Sequence, residues 1–158
     1  VEEYLSYQPE PYELLIDSQT VKEKAFLVAC GNASQYGNNA FIAPHANIQD
    51  GKMDITILSP FGPLDIAPLA IQLFTKQIDR NSKIKTFKGK EVTIIRQNPG
   101  VMHLDGEPIM ADSRIEISVL PKSLNVLTPE TVSFTEEVQN LFGEVTRFFD
   151  KKLPYIFR

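Results

Sequence analysis

From Arg114 to Val119 the chain alternates strictly, with Ile115, Ile117 and Val119 on one side and Arg114, Glu116 and Ser118 on the other. A period of two sends successive side chains to opposite faces of an extended backbone, so this segment reads as a half-buried strand that Pro121 stops. Met53, Ile55 and Ile57 alternate with Lys52, Asp54 and Thr56 in the same way, which predicts one buried and one wet face. Shorter strand-like runs surround these two. Tyr12 to Ile16 ends at the turn signal Asp17-Ser18, and Lys24 to Ala29 is closed by Gly31-Asn32. Gly89 to Arg96 is broken by Asn98-Pro99-Gly100, and Val101 to Leu104 runs into the turn dipeptide Asp105-Gly106. Many short strands punctuated by turns predict a mainly β fold, an antiparallel sandwich or barrel. We expect a two-layer antiparallel β-sandwich over about residues 10–126, with one inserted helix and a C-terminal helix.

The inserted helix is expected from Ile66 to about Ile78, capped by Asp65, with Pro68 in its first turn. Its apolar face would be Ile66, Ala70, Leu73, Phe74 and Ile78. The C-terminal helix, at about residues 133–152, starts with the capping-box pattern Ser133-Phe134-Thr135-Glu136. Phe134, Val138, Leu141, Val145 and Phe148 then recur at helical spacing, although Gly143 weakens the segment by roughly 1 kcal/mol against alanine.

Composition removes several classes. With 42% hydrophobic and 23% charged residues in 158, the chain resembles an ordinary folded domain and not a disordered one. The longest strongly apolar run, Ala25 to Cys30, falls far short of the ~20 residues that a spanning helix needs. The single cysteine, Cys30, makes no internal disulfide, and two histidines, His45 and His103, do not make a zinc cluster. A net charge of −4 argues against a nucleic-acid partner. The chain opens on Val1 without a signal-peptide pattern, and we expect it to be one piece of a longer protein.

Three loops carry residues suited to chemistry. Gly31 to Asn39 is rich in Gly and Asn, which tolerate positive φ, so it is either a tight structural turn or a binding loop. It has no Gly-Lys-Ser/Thr and is not a P-loop, and the sequon Asn32-Ala33-Ser34 lacks a secretion context. In the second loop, Ala43 to Gly51, Asp50 either forms a turn or offers one carboxylate to a hard cation. The third is His103-Leu104-Asp105-Gly106-Glu107. In extended geometry Asp105 and Glu107 point to the same side, an arrangement suited to magnesium–phosphate chemistry, while Asp-Gly is equally the signature of a bare hairpin turn. His103 is expected to pack beside its strand. No Gly-x-Ser-x-Gly elbow is present and Cys30 lies in an apolar run, so serine or cysteine hydrolysis is poorly supported. A basic stretch from Lys76 to Arg96 is either a solvated face or a patch that meets anionic lipid or phosphate.

In their order, these segments resemble the C-terminal domain of the diacylglycerol kinase and sphingosine kinase superfamily, most nearly the bacterial soluble diacylglycerol kinases. The likeness runs through Asn32 and Tyr36-Gly37-Asn38-Asn39, then Pro44-His45-Ala46 and Asp50-Gly51, then Asp105-Gly106-Glu107, and ends at Ile115 to Pro121 and Leu124 to Val126. Asn38 and Asn39 stand where the family has glycines. The resemblance implies a two-domain, ATP-dependent lipid kinase in which a β-sandwich domain helps to bind lipid. It implies Asp105 as general base for the lipid hydroxyl, Glu107 as support for magnesium–ATP, and Asp50 at a structural magnesium site joined by carbonyls near Asn47 and Lys52. The implied partners are a lipid such as diacylglycerol or a sphingoid base, a membrane surface met peripherally from the cytoplasm, the protein's own N-terminal domain and a second copy in a homodimer. The family's Gly-Gly-Asp-Gly-Thr nucleotide loop does not occur in the 158 residues, so this piece alone is expected to be inactive. Two alternatives stay open: an NAD kinase-like phosphotransferase and a non-catalytic β-sandwich binding module.

Overall fold

The computed structural model describes residues 8–127. The helix expected at 133–152 lies outside them. Among the described residues nine strands form three antiparallel sheets. In chain order the strands are β1 (Glu10–Ile16), β2 (Gln19–Ala25), β3 (Leu27–Gly31), β4 (Met53–Leu58), β5 (Ile84–Gly89), β6 (Glu91–Ile95), β7 (Gly100–Leu104), β8 (Glu107–Ala111) and β9 (Arg114–Ser118). One helix, α1 (Pro63–Phe74), and a 3-10 turn (Ile78–Arg80) separate β4 from β5. The first sheet has the order β2-β1-β6-β9, the second β3-β4-β5, and β7 pairs with β8 alone.

The two larger sheets face each other across one core, which is the expected two-layer sandwich. Leu14, Ile16, Val21, Val92 and Ile94 come from the first sheet and Met53, Ile55 and Ile57 from the second. Leu14, Ile55 and Ile57 are fully buried, and burying each such side chain is worth roughly 1.5–3 kcal/mol. On β9 the alternation holds, with Ile115 and Ile117 packed against this core and Arg114, Glu116 and Ser118 exposed.

Two strand expectations need correction. The run from Lys24 to Ala29 is not one strand: β2 ends at Ala25 in the first sheet and β3 begins at Leu27 in the second. Phe26 turns that corner, its N–H donating to the Leu58 carbonyl at 2.7 Å. On β4 neither face is wet, because Asp54 and Thr56 are buried along with Ile55 and Ile57. The strand is central in its sheet, and the loop around Phe41 and Ala43 covers its second face, with Thr56 Oγ1 donating to the Ile42 carbonyl at 2.9 Å.

The inserted helix sits about three residues earlier than expected. Gly62 is the N-cap, Pro63 takes the first helical position, and Asp65 accepts the Gly62 N–H at 2.8 Å from inside the first turn. Pro68 therefore stands in the second turn, where it removes one backbone donor. The buried stripe is also different. Leu69 is buried and Leu73 half-buried, packing with Ile78 and Ile84, while Ile66, Ala70 and Phe74 are exposed. Ile78 reaches that cluster from the 3-10 turn and not from the helix.

The crossing from β5 to β6 is pinned by Asp17, which has a left-handed φ of 51° in the β1–β2 turn. Its Oδ1 accepts the N–H groups of Lys90 and Glu91, both at 2.9 Å, and its own N–H donates to the Glu91 carbonyl at 2.9 Å. Those two donors hold the Asp17 carboxyl below the ordinary aspartate value. Beside it, a Cβ on Gly89 would meet Ile16 Cγ2 at 2.6 Å, so the crossing has room only for glycine.

Candidate functional site

The third loop is the tip of the β7–β8 hairpin. Leu104 pairs with Glu107 across a two-residue turn in which Asp105 has a φ of 49° and Gly106 of 92°. Two consecutive positive φ values match the primed turn that suits the twist of a hairpin. The sequence reading assumed extended backbone from Asp105 to Glu107, and that premise does not hold, since Asp105 is left-handed. The two carboxylates instead flank a tight turn, one in it and one at the first residue of β8. Both residues are exposed, and neither carboxylate makes a hydrogen bond or ion pair among the described residues. His103 is exposed on β7 and not packed as expected.

The hairpin is fastened at its base by Arg96, just beyond β6. Its guanidinium donates to the carbonyls of Gly100 at 2.7 Å, Ala111 at 2.6 Å, Asp112 at 3.2 Å and Val101 at 3.5 Å. A planar fork with five donors suits these carbonyls, three from the two strands and the fourth from Asp112 just past β8. Above this joint Val101, Leu104 and Met110 stay 60%, 58% and 72% exposed.

The second loop gathers around Lys88 on β5. Asp50 Oδ1 accepts the Lys52 N–H at 2.9 Å, and Asp50 Oδ2 meets Lys88 Nζ at 3.2 Å. The same ammonium donates to the His45 carbonyl at 3.0 Å and forms an ion pair with Asp54 Oδ2 at 3.2 Å. The Asp54 oxygen is shielded from water and lacks a contact of full hydrogen-bond geometry, so the pairing with Lys88 is what compensates its charge. The Lys52 N–H, and then Lys88, keep the Asp50 carboxyl below its usual value. Burial alone would lower the Lys88 ammonium, yet Asp50 and Asp54 together hold it above the ordinary lysine range. His45 Nε2 donates to Asp79 Oδ2 at 3.2 Å on the rim of a recess of about 200 Å³ that also holds Asp54, Thr56 and Lys88. A larger groove of about 490 Å³ crosses β1, β2 and the end of β6. Neither is lined by Asp105 or Glu107.

The first loop adopts the conformation its composition allows. Gly37, Asn38 and Asn39 have φ values of 135°, 47° and 61°, and Tyr36 N–H donates to the Ala40 carbonyl at 2.8 Å. Both asparagines thus take the left-handed conformation. Tyr36 is 60% exposed, and Phe41, just past the loop, donates its N–H to the Leu73 carbonyl at 2.9 Å and lies under Lys76 Nζ at 4.5 Å.

Several members of the basic stretch have partners within the fold. Besides Lys76, Lys88 and Arg96, Lys85 pairs with Glu23, and Lys83 lies 3.8 Å from Asp65. Burial pushes the Cys30 thiol up to about 12, which disfavours the reactive thiolate. Among the described residues no three His, Cys, Asp or Glu side chains converge on a common metal position, and no helix is long and apolar enough to cross a membrane.

Sequence reasoning missed Lys88, Asp54 and Arg96 as organising residues. The signal for the first two was present, because Asp54 and Lys88 are direct cross-strand partners and opposite charges are favoured there. It was unreadable without β5, which the basic stretch concealed.

Comparison with other proteins gives a consistent result. The chain is 28% identical over 125 residues to a probable lipid kinase YegS-like of Shewanella frigidimarina, covering 79% of this chain and 40% of that protein. It is 28% identical over 127 residues to a diacylglycerol kinase of Mycobacterium tuberculosis, covering 77% of this chain and 39% of that one. The chain spans between 27% and 40% of the length of the curated relatives it matches. A crystal structure of a diacylglycerol kinase from Bacillus anthracis superposes with a TM-score of 0.60 at 23% identity, over 75% of this chain and 42% of that one, which establishes a common fold. Residues 1–128 match the model of the YegS C-terminal NAD kinase beta sandwich-like domain, and the chain belongs to that family.

Proposed function

We propose that this chain is the lipid-binding and catalytic C-terminal domain of an ATP-dependent lipid kinase, with the Asp105–Glu107 turn as its contribution to the chemistry. The observation that carries this reading is the pair of exposed, unpartnered carboxylates flanking a tight two-residue turn, in a chain whose named relatives include diacylglycerol and lipid kinases. Phosphoryl transfer asks little covalent chemistry of a protein and depends on positioning and charge neutralisation. Asp105 accepts the proton of the lipid hydroxyl as that oxygen attacks the γ-phosphorus, and the bond from that phosphorus to the β–γ bridging oxygen breaks with release of ADP. Glu107 would help to hold magnesium, which would neutralise phosphate charge on the nucleotide. The nucleotide itself is held mainly by an N-terminal domain of the same protein, so the 158-residue chain alone neither binds ATP tightly nor turns over. The exposed apolar side chains on β7 and β8 suit a lipid surface reached peripherally from the cytoplasm.

The test is to incubate the full-length protein with magnesium, radiolabelled ATP and, in turn, diacylglycerol vesicles, sphingoid-base vesicles and NAD. Label in one of the lipid products, absent with NAD, is expected. Label in NAD with none in lipid would replace this reading by the soluble-substrate alternative, and no label in any product would favour the binding module.

A further inference from the structure

We propose that the Lys88 ammonium is itself the structural cation of the Asp50 loop, and that this chain holds no divalent metal there. The resemblance implied a structural magnesium at Asp50, but the residues present do not fit one beside Lys88. Nζ lies 3.2 Å from Asp50 Oδ2, 3.2 Å from Asp54 Oδ2 and 3.0 Å from the His45 carbonyl oxygen. A protonated amine has three N–H donors and no acceptor; the His45 carbonyl and Asp50 Oδ2 take two of them, and Asp54 Oδ2 is held beside it as an ion pair. The other Asp50 oxygen is engaged by the Lys52 N–H.

Strand pairing brings the lysine to this position. Asp54 and Lys88 face each other in the β4–β5 register, so forming the second sheet delivers the ammonium to the loop. The charge balance agrees. Asp54 is buried, and an uncompensated buried carboxylate is strongly destabilising, so its partner must be a cation that is always present. A divalent ion at Asp50 would sit against that ammonium and would need oxygens at ~2.0–2.6 Å, closer than those now arranged around the nitrogen. The loop that carries Pro44-His45-Ala46 and Asp50-Gly51 is thereby tied to β5 by a covalently attached charge, which a chelator cannot remove.

Thermal unfolding of the full chain decides the matter, without recourse to enzyme activity. Wild type is expected to melt at the same midpoint in excess EDTA and in millimolar MgCl2 or CaCl2. Lys88→Met, which keeps the stem and removes the charge, is expected to melt roughly 2–8 °C lower in EDTA. Lys88→Arg covers the case in which the methionine variant does not fold, since it keeps a cation and should stay nearer to wild type. Two results would overturn the proposal. One is a wild-type midpoint lowered by EDTA and restored by magnesium or calcium, with the response lost in Asp50→Asn. The other is Lys88→Met as stable in EDTA as wild type.

Discussion

In the sandwich and its loops, Asp17 and Asp50 each accept hydrogen bonds from the chain itself, and Asp54 is ion-paired with Lys88. On the β7–β8 hairpin, Asp105 and Glu107 have no such partner among the described residues. The apolar residues divide in the same way. Leu14, Ile55 and Ile57 are 0% exposed in the core, whereas Val101 and Met110 are 60% and 72% exposed on the hairpin. Carboxylates with partners hold a fold together, and carboxylates without them are free to meet a reactant. The separation also has a mechanical side, because the hairpin is its own two-stranded sheet, joined to the sandwich through Arg96 at its base. A turn so mounted can keep its geometry fixed while contributing little to global stability.

The sandwich side of the comparison breaks most severely at Gly89. An alanine there would place its Cβ 2.6 Å from Ile16 Cγ2, and Ile16 is only 3% exposed and has nowhere to move. Gly89→Ala should therefore cost roughly 1–3 kcal/mol, measured by denaturant unfolding. An unchanged midpoint would mean that the crossing from β5 to β6 is looser than this packing requires.

The joint breaks at Arg96. Hydrogen bonds from a charged group are worth about 1.5–3 kcal/mol, but this set ties down a hairpin and not the core. Arg96→Met should speed amide exchange in β7 and β8 while leaving the exchange of β1, β4 and β6 nearly unaltered. Equal acceleration in all of them would show that hairpin and sandwich unfold as one unit.

A finer adjustment is available at Asp17. Its folded pKa is depressed by the N–H groups of Glu91 and Lys90, so the stability it adds is present above the unfolded value of about 3.9 and disappears as pH falls through the folded value. Asp17→Asn keeps an acceptor and tolerates the left-handed turn, so it removes the charge alone. It should lower the melting midpoint modestly at neutral pH, and the gap to wild type should close only as pH falls below the ordinary aspartate value of about 3.9 and through the depressed folded one. A gap that persists into acid would assign the effect to geometry instead of charge.

What the sequence made legible follows the same division. The strands with clean alternation, such as β9, and the tight turns marked by Asp105-Gly106 and Asn38-Asn39 depend on local backbone preference, and they stand where the residues placed them. Asp54 and Thr56 read as a wet face because alternation says nothing of the preceding loop around Phe41 and Ala43, which folds back and covers them. β5 was concealed because Lys85 and Lys88 take positions that only partner strands and loops make favourable. The helix starts earlier than Asp65 because Pro63, with its fixed φ and no N–H to lose, suits the first helical position and Gly62 caps it. Of the candidate site, the turn and its two acids were visible, but their freedom from partners was not, since that depends on what the rest of the fold leaves unspent.

The most direct measurement pairs two readouts on one variant, Asp105→Asn in the full-length protein. Asparagine tolerates the left-handed turn and removes only the basic carboxylate, so the melting midpoint should match wild type while lipid phosphorylation falls by roughly 10²–10⁴-fold, the usual contribution of a general base. Near wild-type turnover would contradict the assignment of Asp105 as the base. A lowered midpoint accompanying the loss would contradict the separation of hairpin from sandwich on which that assignment stands.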